Sequence, residues 1–264
     1  MRSDVPEEPS QRSDPPPSPD ILLEDGPVLA VNKPAGLLTL GAKHGVPTLE
    51  RMVKAYLKTK YNKPGNVYLG IPHRLDRPVS GVVAFARNSK AAARLAEQFR
   101  ERKVRKIYWA LVERAPDQPE GELVDWLMKA PDAARVEIVT PDTSGAREAR
   151  LRYKTLSPAD LGLCEPAESI ASPALAQPTL LEIEPLTGRT HQIRVQLAAR
   201  GCPIVGDRQY GATMSLLDRP AADLRDEPIA LHAQSLTILH PIRYDSLTIS
   251  APLPENWRRW MSLA

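Results

Sequence analysis

The residues best placed for chemistry lie in one short stretch, His73-Arg74-Leu75-Asp76-Arg77-Pro78-Val79-Ser80-Gly81. A single carboxylate, Asp76, stands there between Arg74 and Arg77, and Pro72 and Pro78 bracket it. Proline fixes its own φ and keeps the preceding residue out of helix, so the stretch reads as a stiff loop that holds the acid in place. A carboxylate held this way can serve as nucleophile, base or electrostatic stabiliser. It can equally be half of an ion pair that ties down a loop.

Other chemistries find no support in residue type and spacing. The five histidines (His44, His73, His191, His232 and His240) show no paired metal spacing. His73-Arg74-Leu75-Asp76 has the letters of a kinase catalytic loop, but no Gly-rich phosphate loop precedes it. There is no P-loop, no dinucleotide fingerprint and no G-x-S-x-G elbow to make Ser80 a nucleophile. A glycosidase needs two cooperating carboxylates, and no obvious second stands near Asp76. What remains is one rigid carboxylate, a tyrosine at Tyr108 and arginines around the Gly-bounded turn Thr187-Gly188-Arg189-Thr190.

The elements that must position these residues follow from periodicity. Continuous apolar runs over 28–31 and 82–86 read as buried strands on either side of the loop. Thr48 can cap a helix that carries Met52, Val53, Tyr56 and Leu57 on one face. Ser89 can cap a second, to about residue 102, with an apolar stripe through Leu95 and Phe99 and a basic end. Strands are predicted over 104–112, 135–139, 147–156, 179–185, 231–233 and 239–242. Tyr108 shares a face with Lys106 in the first of these. In the third, Arg150, Arg152 and Lys154 line one face, a candidate nucleic-acid stripe or simply a solvated one. Thr190 is predicted to cap a short helix over 191–200, ended by Gly201, with Ile193 and Leu197 inward. Residues 157–178 read as a long surface loop, and the segment from Trp257 to Trp260 as an amphipathic close.

Charge is distributed unevenly. Of 35 basic and 32 acidic residues, two arginines and seven acids fall in the first 25, which leaves 33 basic and 25 acidic residues in the remainder. A basic body suits a polyanion. Residues 1–20 are Pro-, Ser- and acid-rich and read as a disordered tail, with a single domain over 21–264. No apolar run approaches a membrane span. Cys164 and Cys202 match no metal or redox spacing and read as ordinary thiols of a reducing cytoplasm.

Taken in order, five segments resemble the motifs of the RluA-type pseudouridine synthases. These are Asn32-Lys33-Pro34-Ala35-Gly36, the Asp76 loop, and Lys106-Ile107-Tyr108-Trp109-Ala110. They continue with Thr187 to Val195 together with Pro203-Ile204-Val205-Gly206-Asp207 and Tyr210-Gly211, and close with Leu231-His232-Ala233 and His240-Pro241. The resemblance implies an α+β fold, a mixed and mostly antiparallel sheet flanked by helices around a central RNA-binding cleft. It implies cofactor-free isomerisation of uridine to pseudouridine in tRNA or rRNA by a monomer. Asp76 would be the catalytic carboxylate, Tyr108 would stack on a flipped base and assist proton removal from its C5, and Arg194 would pair with Asp76. Arg189, His191, Gln192 and Ile204 would surround the substrate; beyond the resemblance, the charges of Arg74 and Arg77 suit its flanking phosphates, with Lys106, Arg150, Arg152 and Lys154 as weaker backbone contacts. Val79 stands where the family usually has Thr, and Gln196 where His is common. The sequence before Val28 is too short for the S4-type domain of many relatives, so RNA selection is expected from the catalytic domain or a partner. A non-catalytic RNA-binding protein and an unrelated enzyme with a structural Asp76–Arg pair stand as alternatives.

Overall fold

The two apolar runs that flank the Asp76 loop form the middle of the architecture, and their composition explains why. In the computed structural model, which describes residues 18–41, 46–130, 135–157, 160, 178–217 and 227–260, strands β2 (Val28–Lys33) and β3 (Ser80–Ala86) pair antiparallel. Alternate side chains leave opposite faces. Leu29, Val31, Val83 and Phe85 enter one core with Leu49, Val53 and Leu57 of helix α1 (Leu49–Lys60). Val28, Ala30, Val82 and Ala84 enter a second core with Ala91 and Leu95 of helix α2 (Ser89–Arg100). A strand covered on both faces reads as a continuous apolar run. Burying each Leu or Val side chain stabilises the fold by about 1.5–3 kcal/mol.

The remaining strands are β1 (Asp20–Asp25), β4 (Arg105–Val112), β5 (Glu120–Lys129), β6 (Val136–Val139), β7 (Arg147–Thr155), β8 (Thr179–Pro185), β9 (Leu231–Leu239) and β10 (Ser246–Ser250). A short helix, α3 (Gln192–Ala198), lies between β8 and β9. The strands form one ten-stranded sheet in the order β1-β2-β3-β9-β4-β8-β7-β5-β6, with β10 beside β9. This is the mixed, mostly antiparallel sheet expected. No helix among the described residues is long and apolar enough to cross a membrane.

The single parallel contact among the described strands is β3 to β9, through Ser80↔His232 and Gly81↔Ala233. It closes directly behind the Asp76 loop. The Ser80 hydroxyl lies 2.8 Å from His232 Nδ1, and Ile229 N–H donates to Pro78 O at 3.2 Å. Gly81 has φ +114°, and a Cβ there would lie 2.3 Å from the Ala233 carbonyl oxygen. Backbone cannot yield as a flexible side chain does. Gly81→Ala is therefore expected to lower stability by about 2–4 kcal/mol, read by denaturant unfolding. An unchanged midpoint would mean that the seam opens without loss.

Several expectations are corrected. α2 is capped by Asn88, whose side chain accepts Ala91 N–H at 2.8 Å, so Ser89 is its first residue and Arg100 its last. Strand β9 runs unbroken to Leu239, and residues 240–243 turn instead of forming a strand. His240 Nδ1 accepts the N–H groups of Ile242 and Arg243 there. Strands β1, β5 and β10 are additions to those that periodicity predicts. The expected tail lies outside the described residues through 17, while Asp20 already pairs with Asn32 in β1. Nearly all of the expected loop over 157–178, with Cys164, also lies outside the described residues, as does His44.

Candidate active site

The Asp76 loop is held from below by the turn after β2. The Thr39 hydroxyl donates to Leu75 O at 2.9 Å and accepts Leu75 N–H at 3.3 Å. Lys33, fully buried, donates to the carbonyls of Pro34, Leu37 and Arg77 at 2.9, 2.7 and 3.1 Å. Burial pushes its pKa down to about 7 against the pull of Asp76. Arg77 returns the grip, its Nε donating to Gly36 O at 3.0 Å while Gly36 N–H donates to Arg77 O. Behind the loop His73 accepts Ala84 N–H at 2.9 Å and stacks on Phe99. Burial pushes its pKa down to about 3, so it is a neutral brace. Asp76 itself projects into a cleft of about 780 Å³, within the range of small-ligand sites.

Opposite Asp76 stands α3. Thr190 does not cap it. His191 takes the N-cap position at φ +53°, with no side-chain cap bond. The next residue, Gln192, turns its side chain back, accepting from the Thr187 hydroxyl at 2.7 Å and Arg189 N–H at 3.1 Å. Gln192 also donates to Arg150 O at 2.9 Å. This closes the Thr187–Arg189 turn, so Gln192, although it borders the cleft, is a structural clamp with both ends of its amide engaged.

Arg194 comes within 3.8 Å of Asp76 Oδ2, but its principal partner is Asp207. Its Nε and Nη2 donate to the two Asp207 oxygens at 2.7 Å each, and Nη2 also to Gln209 Oε1 at 2.9 Å. Both Arg194 and Asp207 are almost fully buried. Burial alone lowers the arginine's pKa, and the bonds and charge of Asp207 more than reverse this. The guanidinium also lies 4.9 Å from the centre of the Tyr210 ring. A rigidly anchored cation therefore presents one nitrogen to Asp76, and His191 Nε2 presents a second at 3.6 Å. Neither distance is that of a formed hydrogen bond, so the Asp76 oxygens face the cleft with lone pairs available. Tyr108, on β4, lines the same cleft. Burial, helped by Asp76, raises its pKa above the ordinary tyrosine value, so it is a neutral phenol.

Residues 27–199 match the family described as RNA pseudouridylate synthase. This chain belongs to the RNA pseudouridylate synthase family. It is 35% identical over 249 residues to the ribosomal large subunit pseudouridine synthase D of Xanthomonas campestris pv. campestris, covering 92% of this chain and 68% of that protein. It is 31% identical to the tRNA pseudouridine synthase C of Haemophilus ducreyi, covering 90% and 93% of the two chains. The solved structure of human RNA pseudouridylate synthase domain containing 4 shares the fold, with a TM-score of 0.69 at 24% identity over 92% and 93% of the chains.

Within this pseudouridylate synthase, other expected site residues separate. Arg74, Arg189, His191 and Lys106 border the cleft with Asp76, Tyr108 and Arg194. Ile204, expected at the substrate, is instead 1% exposed in the core and bridged to Val112. Arg77, expected on a phosphate, directs its Nε to Gly36 O. The cationic stripe is not bare: Arg150 and Arg152 pair with Glu122, and Lys154 with Glu182. Of the two departures from the family pattern, Val79 is buried where the core meets the cleft and belongs to its lining, whereas Gln196 donates to Asp125 at 2.7 Å on the side of β5, outside that lining. Asp207 and Tyr210, which fall within the third resembling segment without a role assigned there, and Thr39, which falls in none, hold the site together. A buried arginine in a short helix requires an acid, which is the available signal for Asp207.

Proposed function

We propose that this pseudouridylate synthase uses Asp76 as the carboxylate that acts on the ribose of a uridine flipped out of rRNA or tRNA, with Tyr108 as the surface that receives the base. The observation that carries this reading is the position of Asp76. It is pinned by Thr39 and Lys33 through its neighbours and by Val79 N–H on its own carbonyl, it is held beside an anchored arginine, and its carboxylate is left without a protein hydrogen bond of ordinary length among the described residues. The reaction breaks N1–C1′, turns the uracil, forms C5–C1′, releases the C5 proton and protonates N1. Asp76 can attack C1′ or take the C2′ proton. A target within folded RNA must leave its stack to enter, and an aromatic face accepts it. Tyr108, held as a neutral phenol, suits stacking and hydrogen-bond donation rather than service as a phenolate. The test is tritium release from rRNA and tRNA labelled at uridine C5. Release supports the reading, and intact RNA binding without release from either class overturns it.

For the RNA backbone, the rim formed by α2 and β4 replaces the β7 stripe. Arg102, at φ +57°, and Lys103 border the mouth of the cleft beside Arg105 and Lys106, with Lys103 paired to Glu101 and Arg105 to Glu184. Converting Arg102 and Lys103 to Glu is expected to weaken RNA binding at every sequence tested. The salt slope should fall by about 1 for each phosphate no longer neutralised. Arg152→Gln with Lys154→Gln is expected to change affinity by less than about twofold, since these cations lie outside the cleft lining and are paired with Glu122 and Glu182. Filter binding across a salt series distinguishes them, and the opposite ranking would restore the stripe.

A further inference from the structure

His191 and Tyr210 form a chain of contacts that ends at the proposed catalytic carboxylate and begins on a different strand. Tyr210 is buried in the short 3-10 turn Arg208–Tyr210. Its hydroxyl oxygen accepts the backbone N–H of Val136, in β6, at 3.0 Å. The same oxygen lies 2.8 Å from His191 Nδ1. A phenol has one hydrogen to give. Val136 N–H takes the in-plane lone pair, the other is delocalised into the ring and accepts poorly, and no other hydrogen-bond acceptor is paired with this hydroxyl among the described residues, so that hydrogen goes to Nδ1. The imidazole proton is thereby placed on Nε2, the nitrogen that faces Asp76 Oδ2 at 3.6 Å. A carboxylate offers no proton and requires a donor, so both ends of the ring demand the same tautomer.

We propose that Val136, Tyr210 and His191 form a tautomer-setting relay, in which His191 is a positioning residue that presents Nε2–H to Asp76 and fixes the direction of its reactive oxygen. The relay rests on the reading of Asp76 as the catalytic carboxylate. Its surroundings agree. The charged groups that face His191 are Asp76, Arg194 and Asp207, and burial, the largest influence, keeps the ring on the neutral side of its ordinary pKa. Arg135 and Arg194 lie over the Tyr210 ring at 5.3 and 4.9 Å, which fixes the phenol independently of its hydroxyl. His191 stands at φ +53°, so its backbone, too, aims the ring. The β5–β6 hairpin is in this way connected to the carboxylate: Val136 N–H occupies the in-plane lone pair with which Tyr210 would otherwise best accept from Nδ1.

Tyr210→Phe keeps the ring and its cation contacts and removes only the hydroxyl. In the native background kcat is expected to fall about tenfold, the effect of one buried hydrogen bond acting on a reacting group, with KM for RNA unchanged. His191→Gln places an amide N–H where Nε2 stands but has no tautomer to set. In that background Tyr210→Phe is expected to lower kcat by less than about twofold. Equal losses in both backgrounds, or a loss carried by KM, would overturn the relay and leave Tyr210 a packing residue. The ¹⁵N shifts of the His191 imidazole give a reading that needs no turnover: Nδ1 unprotonated in the native protein and a mixture of tautomers in Tyr210→Phe. A native ring protonated on Nδ1 sinks the proposal. If Asp76 were not the catalytic carboxylate, Asp76→Asn would retain turnover while the imidazole shifts stayed as expected, so the two failures are separable.

Discussion

Asp76→Asn is expected to abolish isomerisation, by at least about 10⁴-fold in kcat, the scale seen when a covalent or proton-transfer group is removed from an intact site. The amide keeps the shape of the side chain but can neither attack C1′ nor accept the C2′ proton. It also carries no charge to set against a developing oxocarbenium. What makes the prediction sharp is the independence of Asp76 from the fold. Its two nitrogen-bearing neighbours, the neutral His191 and the cationic Arg194, stand at 3.6 and 3.8 Å, and each has another partner: Tyr210 for His191, and Asp207 for Arg194. Removal of the Asp76 charge therefore leaves Arg194 paired, while the buried Lys33, which also feels that charge, keeps its three carbonyl acceptors, so the melting temperature and RNA affinity should stay near those of the native protein. Tritium release, thermal melting and filter binding on the same preparation check the three statements. A large fall in stability would assign Asp76 to the scaffold and revive the reading of a structural ion pair.

The opposite pattern is expected at Asp207. Asp207→Ala leaves the Arg194 guanidinium, in a residue only 4% exposed, with Gln209 as its remaining close partner. An ion pair broken from one side in this way costs about 3–5 kcal/mol, because the remaining buried charge loses its hydrogen-bonded counter-charge and gains no water. For a chain of this size that is a fall in melting temperature on the order of 10 °C. Activity should fall as well, because the nearest remaining carboxylate facing Arg194 is Asp76. An arginine that turns to Asp76 occupies the oxygens the substrate needs. Asp207→Asn, which keeps an acceptor, should lie between the two. Chemical unfolding monitored alongside turnover tests this, and an Asp207→Ala protein of native stability would show that water reaches Arg194.

The parts of this protein that are legible in its sequence share a physical cause. Strands β2 and β3 are covered on both faces, so their composition is apolar throughout. The Asp76 loop announces itself by its two prolines. Strand β5 escapes a periodicity reading because it is half-exposed, and Glu120, Glu122 and Asp125 obscure its alternation with Leu123 and Leu127. Strand β1 is hidden because its acids resemble those of the preceding tail, although Glu24 pairs with Lys60 and Arg87, and Asp25 with Arg243. The start of α3 is displaced because the positive φ at His191 and the inward turn of Gln192 replace an ordinary Thr cap. Within the site, residue types and their order point to Asp76, Tyr108 and Arg194, which the cleft brings together, but not to the stronger Arg194–Asp207 pair. Periodicity places side chains on a face. It does not say which acid on a neighbouring strand will meet Arg150, Arg152 or Lys154.

The narrow parallel seam between β3 and β9 has a consequence in time. Ser80 and His232, which meet there, are 152 residues apart in the chain. Contacts of such separation form late, since the loop they close must first surrender its freedom. A growing chain is released N-terminus first. The Asp76 loop is thus made early, but its final seat is assembled only after β9 has been synthesised and has docked. Nascent chains that end before β9 hold the carboxylate but not the geometry around it. Competence to modify RNA arrives with the last strands.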